Sequence, residues 1–143
     1  MSQSVRKRID TKIKNGTLNT SKPELDSFHL LQIVFPNLKK QYKSAEYPFL
    51  CDFYDPDSST YIELNAHWTH GKHFFNKDNP QDLDKLSKWQ EKATTSKFYK
   101  NAIETWTVRD VKKLAVAKEK NLKYLVFWSI EEVRGYVDTN KQS

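Results

Sequence analysis

The spacing of apolar residues changes from one segment of the chain to the next. In "SKPELDSFHLLQIVF", residues 21–35, Leu25, Phe28, Leu31 and Phe35 recur at intervals of three and four. That spacing predicts a helix with Ser21 as N-cap and Pro23 in its first turn, ending at Pro36. Three β-like runs follow, around 39–43, 48–54 and 60–66, the last two joined by the turn-rich "DPDSS". A polar helix is expected over about 80–95, with Leu83, Leu86, Trp89 and Ala93 on its buried side. "IETWT", 103–107, is rich in β-branched and aromatic residues and predicts a fourth strand. A helix over 109–120, built on Val111, Leu114 and Ala115, then leads to a last strand, "KYLVFWS", and a short closing helix. The order α-β-β-β-α-β-α-β implies an α/β fold in which helices pack on a mixed sheet.

Folding residues 47–71 about the turn between Asp57 and Ser58 pairs Asp55 with Thr60, Tyr54 with Tyr61, Phe53 with Ile62 and Asp52 with Glu63. Strand alternation then assigns Cys51, Phe53, Ile62 and Leu64 to a core face and Asp52, Tyr54, Tyr61, Glu63 and Asn65 to the opposite, exposed face. Directly opposed residues have Cβ atoms ~4.5–5.5 Å apart, so two carboxylates there repel unless a positive charge lies between them. A divalent cation resolves the repulsion, and Mg²⁺ (or Mn²⁺) takes one or two carboxylates together with water and phosphate oxygens. Asp52 and Glu63 are therefore candidate metal ligands. The plainer alternative is a solvent-facing sheet whose carboxylates are screened or paired with lysines.

The segment after Asn65, "AHWTHGKH", adds His67, His70 and His73. Their spacing matches no structural zinc pattern and no cysteine lies among them, although a zinc-dependent hydrolase stays an alternative. An imidazole beside a metal-bound phosphodiester suits proton transfer near neutral pH. His70 fits that role best, with His67 and His73 as structural or surface residues. Trp68, Trp106 and Trp128 read as packing residues.

Composition and charge narrow the picture further. A chain of 143 residues with 37% hydrophobic content makes one domain. No apolar run approaches the ~20 residues of a membrane span, and the start of the chain lacks a signal-type segment, so a cytoplasmic protein is expected. The single cysteine, Cys51, reads as an inert core thiol. The net charge of +6 is unevenly placed: residues 1–43 hold nine Lys/Arg against three Asp/Glu. Residues 1–20 form a basic arm in which Arg6, Lys7, Arg8, Lys12 and Lys14 are candidate contacts to DNA phosphates, or simply a solvated tail. The domain proper is expected over 21–137, with a short tail over 138–143.

"CDFY" followed by "YIELNAHWTHG" resembles the Vsr-like nucleases, the very-short-patch repair endonucleases with their phage and homing relatives, a variant of the PD-(D/E)XK fold. "NTSKPE" is similar to that family's early glutamate motif, and "TWTVRDVKKLAVAKEKNLKYLVFW" to its late aspartate helix and final strand. The resemblance spans roughly residues 15–130 in matching order. It implies a PD-(D/E)XK core (αβββαβ with an extra αβ) and a Mg²⁺-dependent DNA endonuclease. It also implies Glu24 as first acidic residue, Asp52 as central ligand, His70 as catalytic histidine and Asp110 as last acidic residue. Glu63 occupies the second-strand site, acidic in the phage relatives and the wider fold. Asn65 stands where the wider fold has a lysine, Ala66 replaces a common glycine and Phe74 a proline. Glu24 also completes an S-x-x-E capping box with Ser21, and Asp110 suits the first turn of a helix on electrostatic grounds alone. A catalytically silent nucleic-acid-binding module of the same fold is the alternative function.

Overall fold

A computed structural model describes residues 22–141. Its elements are α1 (Lys22–Leu31), β1 (Lys39–Tyr42), β2 (Cys51–Asp55), β3 (Thr60–Leu64), α2 (Pro80–Ala93), α3 (Lys97–Glu104), α4 (Asp110–Glu119), β4 (Lys123–Phe127) and α5 (Ile130–Asn140). The strands form one mixed sheet in the order β1-β2-β3-β4, with β1–β2 and β2–β3 antiparallel and β3–β4 parallel. The fold is α/β. Among the described residues, no helix is long and apolar enough to cross a membrane.

The β2–β3 hairpin has the expected register, Phe53 opposite Ile62, Tyr54 opposite Tyr61 and Asp55 opposite Thr60. Its turn is pinned by Asp55, whose Oδ2 accepts from the Ser58 amide at 3.0 Å and from the Ser58 hydroxyl at 2.5 Å. A short polar side chain that bonds its own turn in this way sets where the chain reverses.

Each sheet face has its own core. On one side Phe53, Ile62 and Phe127 meet Leu31 of α1 and Val133 and Val137 of α5. Burying a side chain of this size contributes about 1.5–3 kcal/mol. The α5 start is a capping box: Ser129 Oγ accepts from the Glu132 amide at 3.1 Å, and Glu132 Oε1 accepts from the Trp128 amide at 2.7 Å. On the other side Tyr47, Cys51 and Tyr61 pack with Val116 of α4 and with Leu122. The face expected to carry exposed carboxylates is therefore covered, and Glu63 is only 2% exposed.

Cys51 is buried as expected, but it packs with Tyr47 and Tyr61 rather than with Phe53 and Ile62. The β2–β3 ladder gives way beyond Phe53–Ile62. Asp52 Oδ2 accepts from the Leu64 amide at 2.7 Å, and Glu63 Oε1 accepts from the Asp52 amide at 3.2 Å. Side chains stand in for ladder partners, and opposite them Gln41 of β1 has a left-handed backbone, φ 51°. Strict alternation of faces fails where the ladder does.

Residues 103–107 are not a strand, so the sheet has four strands and the crossover gains a helix. Ile103 and Glu104 close α3, and Thr105–Arg109 is a π-helical stretch in which the Asp110 amide donates to the Thr105 carbonyl five residues back. Ala102, Trp106 and Asp110 are all buried at four-residue spacing, so helical burial overrides the β-propensity of the composition. On α2, Leu83 is exposed and Asp82 is the buried residue. The Asp82 carboxylate accepts from the Asn76 amide at 2.9 Å and bonds His73 at 2.6 Å, which turns the helix to bring it inward.

Trp106 fixes the loop before α2. Its indole N–H donates to the His73 carbonyl at 2.8 Å. Gly71, at φ 70°, lies so close that a Cβ there would stand 2.3 Å from the indole ring. Gly71→Ala should therefore cost about 2–4 kcal/mol, combining overpacking with the penalty of a left-handed backbone for a residue with a Cβ. Denaturant melts of the two proteins check this.

Candidate functional site

Glu24 of α1, Asp52 of β2, Glu63 of β3 and His70 line one cleft of about 550 Å³, together with Asn65, His67 and Lys113. Four of the five residues expected at a catalytic centre meet there, although up to 46 positions separate them in sequence. The fifth, Asp110, lies behind His70, where its Oδ2 is 2.6 Å from Nδ1 of the ring. Asp110 is 2% exposed. The candidate arm residues Arg6, Lys7, Arg8, Lys12 and Lys14 lie outside the described residues, as does the Ser21 cap.

The hairpin brings Asp52 and Glu63 together. Glu63 is the better compensated: Tyr47 donates its hydroxyl to Oε2 at 2.5 Å, and Lys113 Nζ lies 3.4 Å from the same oxygen. Burial, and then the negative charge of Glu63, push the Tyr47 hydroxyl well above its ordinary range, so it remains a donor. Asp52 is less well served. Burial, then repulsion from Glu63, raise its carboxyl well above the usual value of 3.8, against the opposing pull of the Leu64 amide. Burial also raises Glu24, opposed by a hydrogen bond from Gln41 and reinforced by Glu63. The cleft holds more carboxylate charge than its own cations offset.

His70 closes the 3₁₀ turn Trp68–His70, which His67 caps by accepting from the Thr69 amide and Gly71 terminates. A carboxylate at Nδ1 accepts, so Nδ1 carries a proton, and in the neutral ring the lone pair is on Nε2. The π-helical stretch just before α4 sets Asp110 at the position where it meets that ring. His73 is elsewhere: its Nε2 bonds Asp82 at 2.6 Å. Trp106 is fully buried as expected, whereas Trp68 is 41% exposed and packs against Trp89 and Tyr99 at the surface. A 3₁₀ turn presents its side chains outward, which a reading based on residue type does not anticipate.

The donor set fits Mg²⁺ or Mn²⁺. Carboxylate oxygens are hard ligands, and their uncompensated charge is what a divalent cation would neutralise; Asp52 and Glu63 would hold it, with Glu24 near. Among the described residues, no three His, Cys, Asp or Glu side chains form a group able to cage a metal ion. Mg²⁺ does not need one, because water and substrate oxygens complete its shell. The three histidines do not converge as zinc ligands would.

Sequence reasoning missed Lys113 and Tyr47, the partners of Glu63. Lys113 left a trace, since it follows Asp110 by three residues and so shares its helix face. Tyr47 precedes β2 in an irregular segment, where no periodicity marks it.

No family model matches the chain, and neither does any curated protein or solved structure.

Proposed function

We propose that the chain is a metal-dependent DNA endonuclease with a PD-(D/E)XK-like core. The observation that carries this reading is the convergence of Glu24, Asp52 and Glu63 on a cleft that also presents His70, backed by Asp110. Asp52 and Glu63 would hold the cation, and Glu24 adds a carboxylate to the same cleft. When bound, Mg²⁺ or Mn²⁺ supplies electrostatic stabilisation of the charge that builds on the phosphoryl oxygens. Asp110 fixes the tautomer and orientation of His70, whose Nε2 takes a proton from the attacking water as one P–O bond forms and another breaks. The proton goes on to the departing oxygen or to solvent. Asn65 has no ionisable group to share this task. The sequence resemblance to Vsr-like, phage-type and homing endonucleases supports the same reading.

A second reading, a binding module without activity, draws on one contact: Lys113 at 3.4 Å already gives Glu63 an internal counter-charge. Incubating folded protein with supercoiled and linear DNA, in Mg²⁺, Mn²⁺ or EDTA, separates the two. The nuclease converts supercoiled DNA only with metal. DNA bound but never cut in any of the three leaves the silent module.

Glu24 distinguishes charge from capping. Gln in its place still reaches back to an N-cap amide but adds no charge to the cleft. Glu24→Gln should therefore melt no lower than wild type and lose activity, measured as the single-turnover cleavage rate. Retained activity together with early melting of Glu24→Ala would reduce this residue to a helix cap.

A further inference from the structure

A second cavity, of about 530 Å³, adjoins the carboxylate cleft. Lys113 lines both, so the two meet at that side chain. One part of the second cavity is apolar, formed by Phe49, Leu50 and Val108; Leu50 and Val108 are 45% and 48% exposed. The other part is cationic, with Arg109 and Lys112 beside Lys113 and Glu104 as the one opposing charge among its lining residues. Arg109 and Lys112 are both exposed. Their sign contrasts with the acidic cleft next door.

We propose that this cavity is a subsite for the DNA backbone next to the scissile phosphodiester, a proposal that rests on the nuclease reading above. The two cavities divide the work by charge. The carboxylate cleft repels a phosphate unless a cation is bound, whereas Arg109 and Lys112 attract one directly. A strand with one phosphate at the Arg109–Lys112 wall lays its deoxyribose against Phe49, Leu50 and Val108, whose exposed apolar area is otherwise a cost in water. Lys113 stands at the junction, with Nζ 3.4 Å from Glu63 and 6.0 Å from the centre of the Phe49 ring. It ties the anion-attracting wall to the metal-binding one. The π-helical stretch contributes to both: Val108 and Arg109 line the subsite, and Asp110, the next residue, holds His70. Helix defects of this kind recur at functional sites. The strand is thereby registered by contacts that carry no sequence information, with the phosphate to be cut placed over the carboxylates.

The test measures binding without cutting. Fluorescence anisotropy of a labelled duplex oligonucleotide, titrated with the full chain in EDTA over a range of KCl, gives log K against log salt. Arg109→Gln/Lys112→Gln should reduce the slope by ~0.9 for each lost contact and weaken binding about tenfold per contact at 0.1 M salt. The loss should be equal for unrelated duplex sequences. Lys112→Glu, confined to the exposed face of α4, should give a loss in the same direction even if the double variant folds poorly. Arg134→Gln/Lys141→Gln removes two charges on and just after α5, in the layer across the sheet from α4, and should leave the slope unchanged. A wild-type chain that binds no duplex overturns both the subsite and the nuclease reading. Wild-type binding with an unchanged slope in both subsite variants overturns the subsite alone, as does an equal loss in the α5 control.

Discussion

Asp52→Asn is expected to lower single-turnover cleavage by about 10³-fold or more, the several kcal/mol that a catalytic cation contributes, and to raise the melting temperature of the metal-free protein. The two effects share a cause. Asn keeps an oxygen to accept from the Leu64 amide, at 2.7 Å in the native chain, but removes the charge that burial and Glu63 make costly. The sign follows from the raised proton affinity. A carboxyl that titrates higher folded than unfolded penalises the folded state once both forms are ionised. The penalty is fully present above the folded value and fades as pH falls through it toward the ordinary 3.8. Metal-free wild type should therefore gain stability relative to Asp52→Asn as pH is lowered through that window. At neutral pH the variant should melt on the order of 2–5 °C higher. Mg²⁺ should stabilise the wild type and leave the variant unmoved. Melts from pH 4 to 8, in EDTA and in Mg²⁺, check all three points. A variant that cuts at wild-type rate removes Asp52 from the site.

His70→Ala is expected to cost ~10²–10⁴-fold in cleavage rate, the usual size of a lost general base. Asp110→Asn keeps the shape but can donate where the carboxylate accepts, which releases the tautomer, and should cost about 10–100-fold. His67→Ala removes the cap of a turn that borders the cleft and should leave the rate near wild type. His73→Ala leaves buried Asp82 without its 2.6 Å partner and should appear in the melting temperature rather than in the rate. Equal rate losses at all three histidines would point to a shared zinc site instead. A His70 variant with unchanged rate would leave the mechanism in need of another base.

The hairpin register was legible because two signals agree there: the turn chemistry of Asp55 and Ser58, and the alternation of Phe53, Ile62 and Leu64 against Tyr54 and Tyr61. The meeting of Asp52 and Glu63 was legible in the hairpin pairing and that of His70 in the histidine-rich segment after it, whereas Glu24 and Asp110 entered only through the resemblance. Residues 103–107 were misread for a physical reason. Ile, Thr and Trp suit a strand and a buried helix face alike, and only the contacts of Trp106 with Trp89, Phe75 and the His73 carbonyl decide between them. Cys51 was assigned to the wrong core because alternation assumes an unbroken ladder, and here carboxylates replace the ladder partners of the Asp52 and Leu64 amides.

The parallel pairing of β3 with β4 has a consequence for the order in which the site comes apart. Asp52 and Glu63 are held by a hairpin and lie 11 residues apart, whereas His70 and Asp110 lie 40 apart, across the crossover. Closing the longer loop costs about 1 kcal/mol more in chain entropy. Its contacts are the ones lost when the crossover opens without the rest of the domain. Hydrogen exchange should accordingly be faster at the amides of Trp106 to Asp110 than at those of Phe53 and Ile62. On heating, the His70–Asp110 pair should therefore part before the Asp52–Glu63 pair does.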